Sequence, residues 1–259
     1  MDFLSLTFLS SILLCLGMAG SIETGYRLGK RKLQKYPEDK TEGSSAVESS
    51  IFAILGLILA FTFTGTLSRY ENRVKLVLKE ANAIGTAYYR LDLLPGDAQQ
   101  KLRPLYKEYV QSRVGVFENY KDRQLSNTKY LEGLKLQDQI WKIANAAVLE
   151  NKNPGIITLV LSSTNEMIDV ANERLQASRI HPPAIVYILL FGLAIISAFL
   201  VGQDMAVNKT RPLLYMVTFC VTISGITYII LDLENPRLGL IRIDSGDEVL
   251  VEVLDKMVK

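Results

Sequence analysis

Four stretches of this 259-residue chain carry no Asp, Glu, Lys or Arg: Phe3 to Ile22, Ser49 to Ser68, Ala184 to Gln203 and Leu213 to Leu231. Each is close to the roughly 20 residues that a helix needs to cross about 30 Å of hydrocarbon. Lipid offers the backbone no hydrogen-bond partner, so a chain that crosses it four times has to do so as helices. The composition agrees, with 49% apolar residues but 22% charged ones, all of them outside the apolar stretches. The first stretch reads as an uncleaved anchor and not a signal peptide. Its start, Met1-Asp2, has no basic n-region, and the basic residues follow it, from Arg27 to Lys35.

Between the second and third stretches lie 114 residues, Arg69 to Pro182. The second span is predicted to run on, unbroken, into an amphipathic helix with Val74, Val77, Leu78, Ala81, Ile84, Tyr88 and Leu91 on one face. Pro95-Gly96-Asp97 stops it and starts another helix, through Leu102, Leu105, Tyr106, Tyr109, Val110, Arg113 and Phe117. After the polar patch Ser126-Asn127-Thr128, a third helix is expected from Tyr130 to Glu150. Asn153-Pro154-Gly155 turns the chain into a fourth, Ile156 to Ser178. The expected fold is therefore an all-α membrane protein, with four transmembrane helices and a helical extramembrane bundle between the second and third. Its segments are 1–68, with the first two spans and their basic loop; 69–182, the bundle continuous with the second helix; 183–232, the last two spans; and 233–259, an extramembrane tail.

Enzyme chemistry finds little footing. The single histidine, His181, rules out a His cluster and sits before two prolines at the membrane edge. No phosphate-cradling glycine motif and no Gly-x-Ser-x-Gly occurs. Cys15 and Cys220 lie in apolar stretches, where a thiol acts as a small hydrophobe. Trp141 belongs in a bundle core. A net charge of +2 makes no field that would recruit nucleic acid. No cofactor is expected. Glu23, Glu48, Asp204, Asp232 and Glu234 stand at the ends of spans, where ionisable groups mark the lipid boundary. Asp232, Glu234 and Asp244 could instead offer oxygen ligands to calcium, but no EF-hand spacing is present and no metal is expected.

The second span has two faces. Ser49, Ala53, Gly56, Ala60, Thr64 and Ser68 form a stripe of small residues that lets helices approach closely. Phe52, Leu55, Leu59 and Phe63 make a face suited to lipid or to a greasy seam. Beyond the span, Gly85 predicts a close helix contact, because a helical glycine costs roughly 1 kcal/mol relative to alanine. Glu80 is expected to pair with Arg73 or Arg90.

The run Leu59-Ala60-Phe61-Thr62-Phe63, then Arg69-Tyr70-Glu71-x-Arg73 and Glu80-Ala81-Asn82-Ala83-Ile84-Gly85-Thr86-Ala87-Tyr88-Tyr89-Arg90, resembles the signature of the bestrophin-like membrane family. Leu94-Pro95 and Asp232-Leu233-Glu234-Asn235-Pro236-Arg237-Leu238-Gly239 carry the likeness further. That family is similar in architecture to the bestrophin anion channels, which have four membrane helices, a helical domain between the second and third, and a pentameric pore lined by the second. The resemblance implies a homo-oligomer, pentameric by likeness, in a lipid bilayer, acting on inorganic ions. Aligning Arg69-Tyr70 with the bestrophin pair would put Ala53, Leu57 and Phe61 at the apolar neck. Gly56, Ala60 and Thr64 belong to the packing stripe read from the sequence, and Arg69, Arg73, Glu80 and Arg90 either line a polar vestibule that concentrates ions or form buried ion pairs that hold the bundle in register. A non-conducting scaffold or sensor and, more remotely, a transporter are the competing readings.

Orientation divides the two lines of reasoning. Eight basic residues (Arg27, Lys30, Arg31, Lys32, Lys35, Lys40, Lys209 and Arg211) crowd the two short loops. On the opposite side, eight more lie within about 16 residues of the membrane ends, at Arg69, Arg73, Lys75, Lys79, Arg174, Arg179, Arg237 and Arg242. Density puts the short loops in the cytoplasm and the bundle outside it. The resemblance implies a cytoplasmic bundle. The absence of a cleavable signal suits a bacterial inner membrane.

Overall fold

The computed structural model describes residues 3–36, 44–150, 153–208 and 211–257, with side chains omitted for 3–5, 44–45 and 244–247. The basic residues Lys40 and Lys209 and the Asp244 side chain lie outside the described residues. Eight α-helices follow one another among the described residues: α1 (Phe3–Lys35), α2 (Ser44–Tyr89), α3 (Gly96–Glu118), α4 (Arg123–Leu149), α5 (Pro154–Arg179), α6 (Ala184–Val207), α7 (Leu213–Leu233) and α8 (Asp244–Lys256). A 3-10 turn, Arg90–Leu93, closes α2. Among the described residues, four helical stretches are long and apolar enough to cross a membrane. The protein is an all-α membrane protein.

The chain divides into two compact units: Met1–Arg69 with His181–Ile241, and Tyr70–Ile180 with Arg242–Lys259. The first holds the apolar spans. Its core gathers Leu14, Met18 and Ile22 of α1, Leu55 and Leu59 of α2, Leu190, Ala194 and Ala198 of α6, and Cys220 and Ile230 of α7. Between α1 and α6 the backbones themselves meet. A Cβ built on Gly25 would fall 2.1 Å from the Phe199 carbonyl oxygen, and one on Gly202 would fall 2.0 Å from that of Ile22. In lipid, where apolar surface gains nothing by leaving one hydrocarbon for another, such close approach is what holds helices together. The Ser21 hydroxyl adds a bond to the Ile195 carbonyl at 2.9 Å.

The second unit is a bundle around Ala81, Ile84, Leu91, Leu102, Tyr106, Tyr109, Leu136, Ile140, Val160 and Met167. The buried face of α2 here differs from the predicted one at Leu78, which is exposed, while Ala87 is buried. The 3.6-residue period rotates position 78 out of the seam that 77, 81 and 84 define. Helix α4 begins seven residues before the expected Tyr130. The Asp122 carboxylate accepts the N–H groups of Gln124 and Leu125, both at 3.0 Å, and so starts the helix. Ser126 and Thr128 turn their hydroxyls onto the Val116 and Gln124 carbonyls instead of breaking it. Segment 233–259, expected as a tail, contains α8. Its Leu250 is fully buried in the bundle core, with Val249, Val253, Leu254 and Met257 packed around it.

Candidate pore helix and the charge clusters beside it

Within the membrane unit, α2 packs by one side only. Leu55, Leu59, Thr62 and Thr66 are buried, and the Phe52 ring meets that of Phe219 edge-on, centroids 6.2 Å apart. The greasy face is thus a seam within the membrane unit. The opposite side, with Ala53, Gly56, Leu57, Ala60, Phe61 and Thr64, is exposed. Phe61 is 67% and Leu57 53% exposed, and a Cβ built on Gly56 would meet nothing within 4 Å. On α1, α6 and α7, bulky residues such as Leu13, Leu16, Ile185, Ile188, Val217 and Val221 face outward, as lipid contact favours. The outward face of α2 alternates small residues with Leu57 and Phe61.

Of the four residues assigned to a vestibule, Arg73, Glu80 and Arg90 belong to the bundle, where each has its own partners. Arg69 belongs to the membrane unit. Its guanidinium donates to the Glu234 carboxylate through Nε at 2.8 Å and Nη2 at 2.5 Å, and to the Thr66 hydroxyl at 3.0 Å. The His181 Nδ1 lies 3.2 Å from the other Glu234 oxygen. Arg73, in the bundle, donates to the carbonyls of Ala177 and Ile180 at 3.1 and 2.9 Å, satisfying orphan acceptors at the end of α5. Arg90 donates to the Leu159 carbonyl at 2.8 Å.

Glu80 pairs with neither Arg73 nor Arg90. It is fully buried, and its two oxygens accept from Arg113 Nε and Arg174 Nη1, both at 2.5 Å. The Arg174 guanidinium also stacks 3.6 Å from the Phe117 ring centroid. Burial pushes the Glu80 carboxyl up, but the two guanidinium charges outweigh it and hold the group below its ordinary value of 4.5. Close by, the Tyr109 hydroxyl accepts from Gln137 at 2.9 Å, and burial pushes Tyr106 up to about 12. The reason for the correction is distance along the chain. Arg113 and Arg174 are 33 and 94 residues from Glu80, beyond the reach of helical spacing. Gly85 is also corrected: no close helix contact is made there, since a Cβ would meet nothing within 4 Å.

In the last turn of α7, the Asp232 carboxylate is fully buried and accepts the backbone N–H groups of Leu240 at 3.0 Å and Ile241 at 2.8 Å. A Cβ on Gly239 would fall 2.0 Å from Asp232 Oδ1. Of the three acidic groups weighed as calcium ligands, Asp232 and Glu234 are engaged by protein donors, and the Asp244 side chain lies outside the described residues. Among the described residues no cluster of three or more His, Cys, Asp or Glu is placed to hold a metal ion. Gly239→Ala is expected to prise this turn open, read as faster tryptic cleavage at Arg237 and Arg242 than in the wild type. Unchanged cleavage would show that the clasp does not hold the turn.

The description that matches this sequence over residues 30–246 is the Bestrophin-like domain. The chain belongs to the Bestrophin-like family. Among solved structures, this Bestrophin-like protein is similar in fold to two point variants of a bacterial bestrophin homolog from Klebsiella pneumoniae. Both give a TM-score of 0.67 over 96% of this chain and 98% of theirs, at 12% and 13% identity. A third structure, described as a membrane protein, gives 0.66 at 13% identity, over 96% of this chain and 97% of its own. No curated protein sequence matches the chain. At such identities the likeness establishes a shared fold across nearly the whole chain.

Proposed function

We propose that this Bestrophin-like protein is an oligomeric ion channel, conducting anions through a pore lined by α2, in a bacterial inner membrane. The observation that carries the reading is the outward face of α2: Ala53, Gly56, Leu57, Ala60, Phe61 and Thr64 stand exposed in the single subunit while the opposite face is packed. Copies of this helix around a symmetry axis, five by likeness to bestrophins, would bury that face. Gly56, Ala60 and Thr64 permit close approach, and Leu57 and Phe61 form rings that gate by dewetting. The Arg69–Glu234 pair fixes the end of the span, and lipid and permeant ions are the partners.

The test begins with mass measurement in detergent, where a ring of subunits is expected. Purified protein in liposomes should then pass chloride, and Phe61→Ala should raise the flux at least about tenfold, the factor for a barrier lowered by about 1.4 kcal/mol. A monomer or dimer, or vesicles equally tight with and without either protein, would overturn the channel and favour a scaffold or sensor.

A further inference from the structure

The exposed face of α2 does not end with the span. In steps of three and four residues it runs from Leu57, Phe61, Thr64 and Ser68 to Glu71 and Lys75, and on to Asn82 and Thr86. All of these are exposed, while Thr62, Thr66, Arg73, Leu76 and Val77 between them are buried. Helix α2 is unbroken from Ser44 to Tyr89, so Lys75, about five full turns beyond Leu57, leaves the helix axis in the same direction. The character of the face changes at Glu71. From Ser49 to Ser68 there is no charge; Glu71 and Lys75, about one turn apart, are the first charges on the face. Among the described residues neither side chain makes an ion pair or a hydrogen bond. Lys79 differs, because Glu173 at 3.0 Å and Glu166 at 3.6 Å hold its ammonium. Lone charges are ordinary on a solvated helix; these two stand in register with the apolar face of the span.

Resting on the reading of α2 as the pore helix, we infer that Glu71 and Lys75 are the residues that set which sign of ion passes. Copies of α2 around an axis repeat each of them as a ring, a carboxylate ring at the mouth of the apolar waist and an ammonium ring about 6 Å farther out. Rings of Lys favour anions and rings of Glu favour cations, and a mouth walled by protein focuses their field. The Lys75 stem is the longer, and helical side chains lean toward the N-terminus. Its ammonium is therefore carried back toward the waist and farther from the helix than the Glu71 carboxylate. Lys75 prevails, and Glu71 trims the preference for anions.

The experiment places full-length protein in a lipid bilayer across a sodium chloride gradient, where the reversal potential gives the chloride-to-sodium permeability ratio. Wild type is expected to favour chloride. Lys75→Gln should lower the ratio at least about threefold, and Glu71→Gln should raise it by a similar factor. Lys75→Arg, which restores the charge, should restore the ratio. Both positions are exposed, so none of these changes threatens folding. The differences should shrink in concentrated salt, as the screening length falls from about 10 Å at 0.1 M to about 3 Å at 1 M. A wild type that favours sodium, or a ratio that neither Gln variant moves, overturns this inference and leaves a channel standing. A protein that passes no ion at all overturns both.

Discussion

Glu80→Gln is expected to destabilise the helical bundle by about 3–5 kcal/mol, the cost of leaving buried charges without their counter-ion. Two guanidinium groups, on Arg113 and Arg174 with 5% and 6% exposure, both donate to this one carboxylate. The amide of glutamine keeps the shape but not the charge. Trp141 is the only tryptophan in the sequence and lies in α4, so its emission during urea unfolding reports on this unit. A midpoint unchanged from wild type would show that the cluster adds nothing. Replacing all three partners together, as Glu80→Leu, Arg113→Met and Arg174→Met, should be far less harmful than the single change, because no charge is then stranded.

The pH dependence has a definite sign. The Glu80 carboxyl titrates lower in the folded protein than its ordinary 4.5. Its contribution is therefore fully present above about pH 4.5 and is lost as pH falls through the folded value. Trp141-monitored stability should decline in acid below that point, and Glu80→Gln should remove this part of the decline.

The second large effect is expected at the α1–α6 seam. Gly202→Val places a branched side chain where the Ile22 carbonyl oxygen would lie 2.0 Å from its Cβ and the Tyr26 nitrogen 2.8 Å. Both are backbone atoms, so no rotamer change relieves the clash and the helices must part. Overpacking of this kind costs roughly 1–3 kcal/mol even where side chains can adjust. Detergent-solubilised Gly202→Val is expected to lose its monodisperse elution peak, and Gly25→Val should behave alike. Gly225→Ala serves as the control: a Cβ there meets nothing within 4 Å, and alanine suits a helix better than glycine. If Gly202→Val eluted like the control, the seam would have to be looser than its geometry implies.

The four spans were readable in the sequence because a charged side chain inside hydrocarbon is so costly that its absence over 20 residues speaks plainly. The unbroken passage of α2 from span to bundle was readable too, since neither proline nor a capping pattern interrupts Ser44–Tyr89. The partners of Glu80 were not. A helix announces neighbours three and four residues away, but Arg113 and Arg174 reach Glu80 only through the tertiary fold. Helix α8 carried a signal that was missed: Val249, Leu250, Val253, Leu254 and Met257 recur at helical spacing and pack on the bundle core. The contacts of Gly25 and Gly202 could not have been paired in advance, because a glycine in the sequence says that something may come near and not what comes.

That seam also limits how the membrane unit can move. Helices whose backbones touch have no side-chain layer to slide on, so α1 and α6 must travel together as one rigid body. Helix α2 is held instead by side chains, Leu55, Leu59 and Phe52 among them, which can re-seat in new rotamers. Relative movement of helices inside the bilayer is therefore easier at α2 than across the α1–α6 seam.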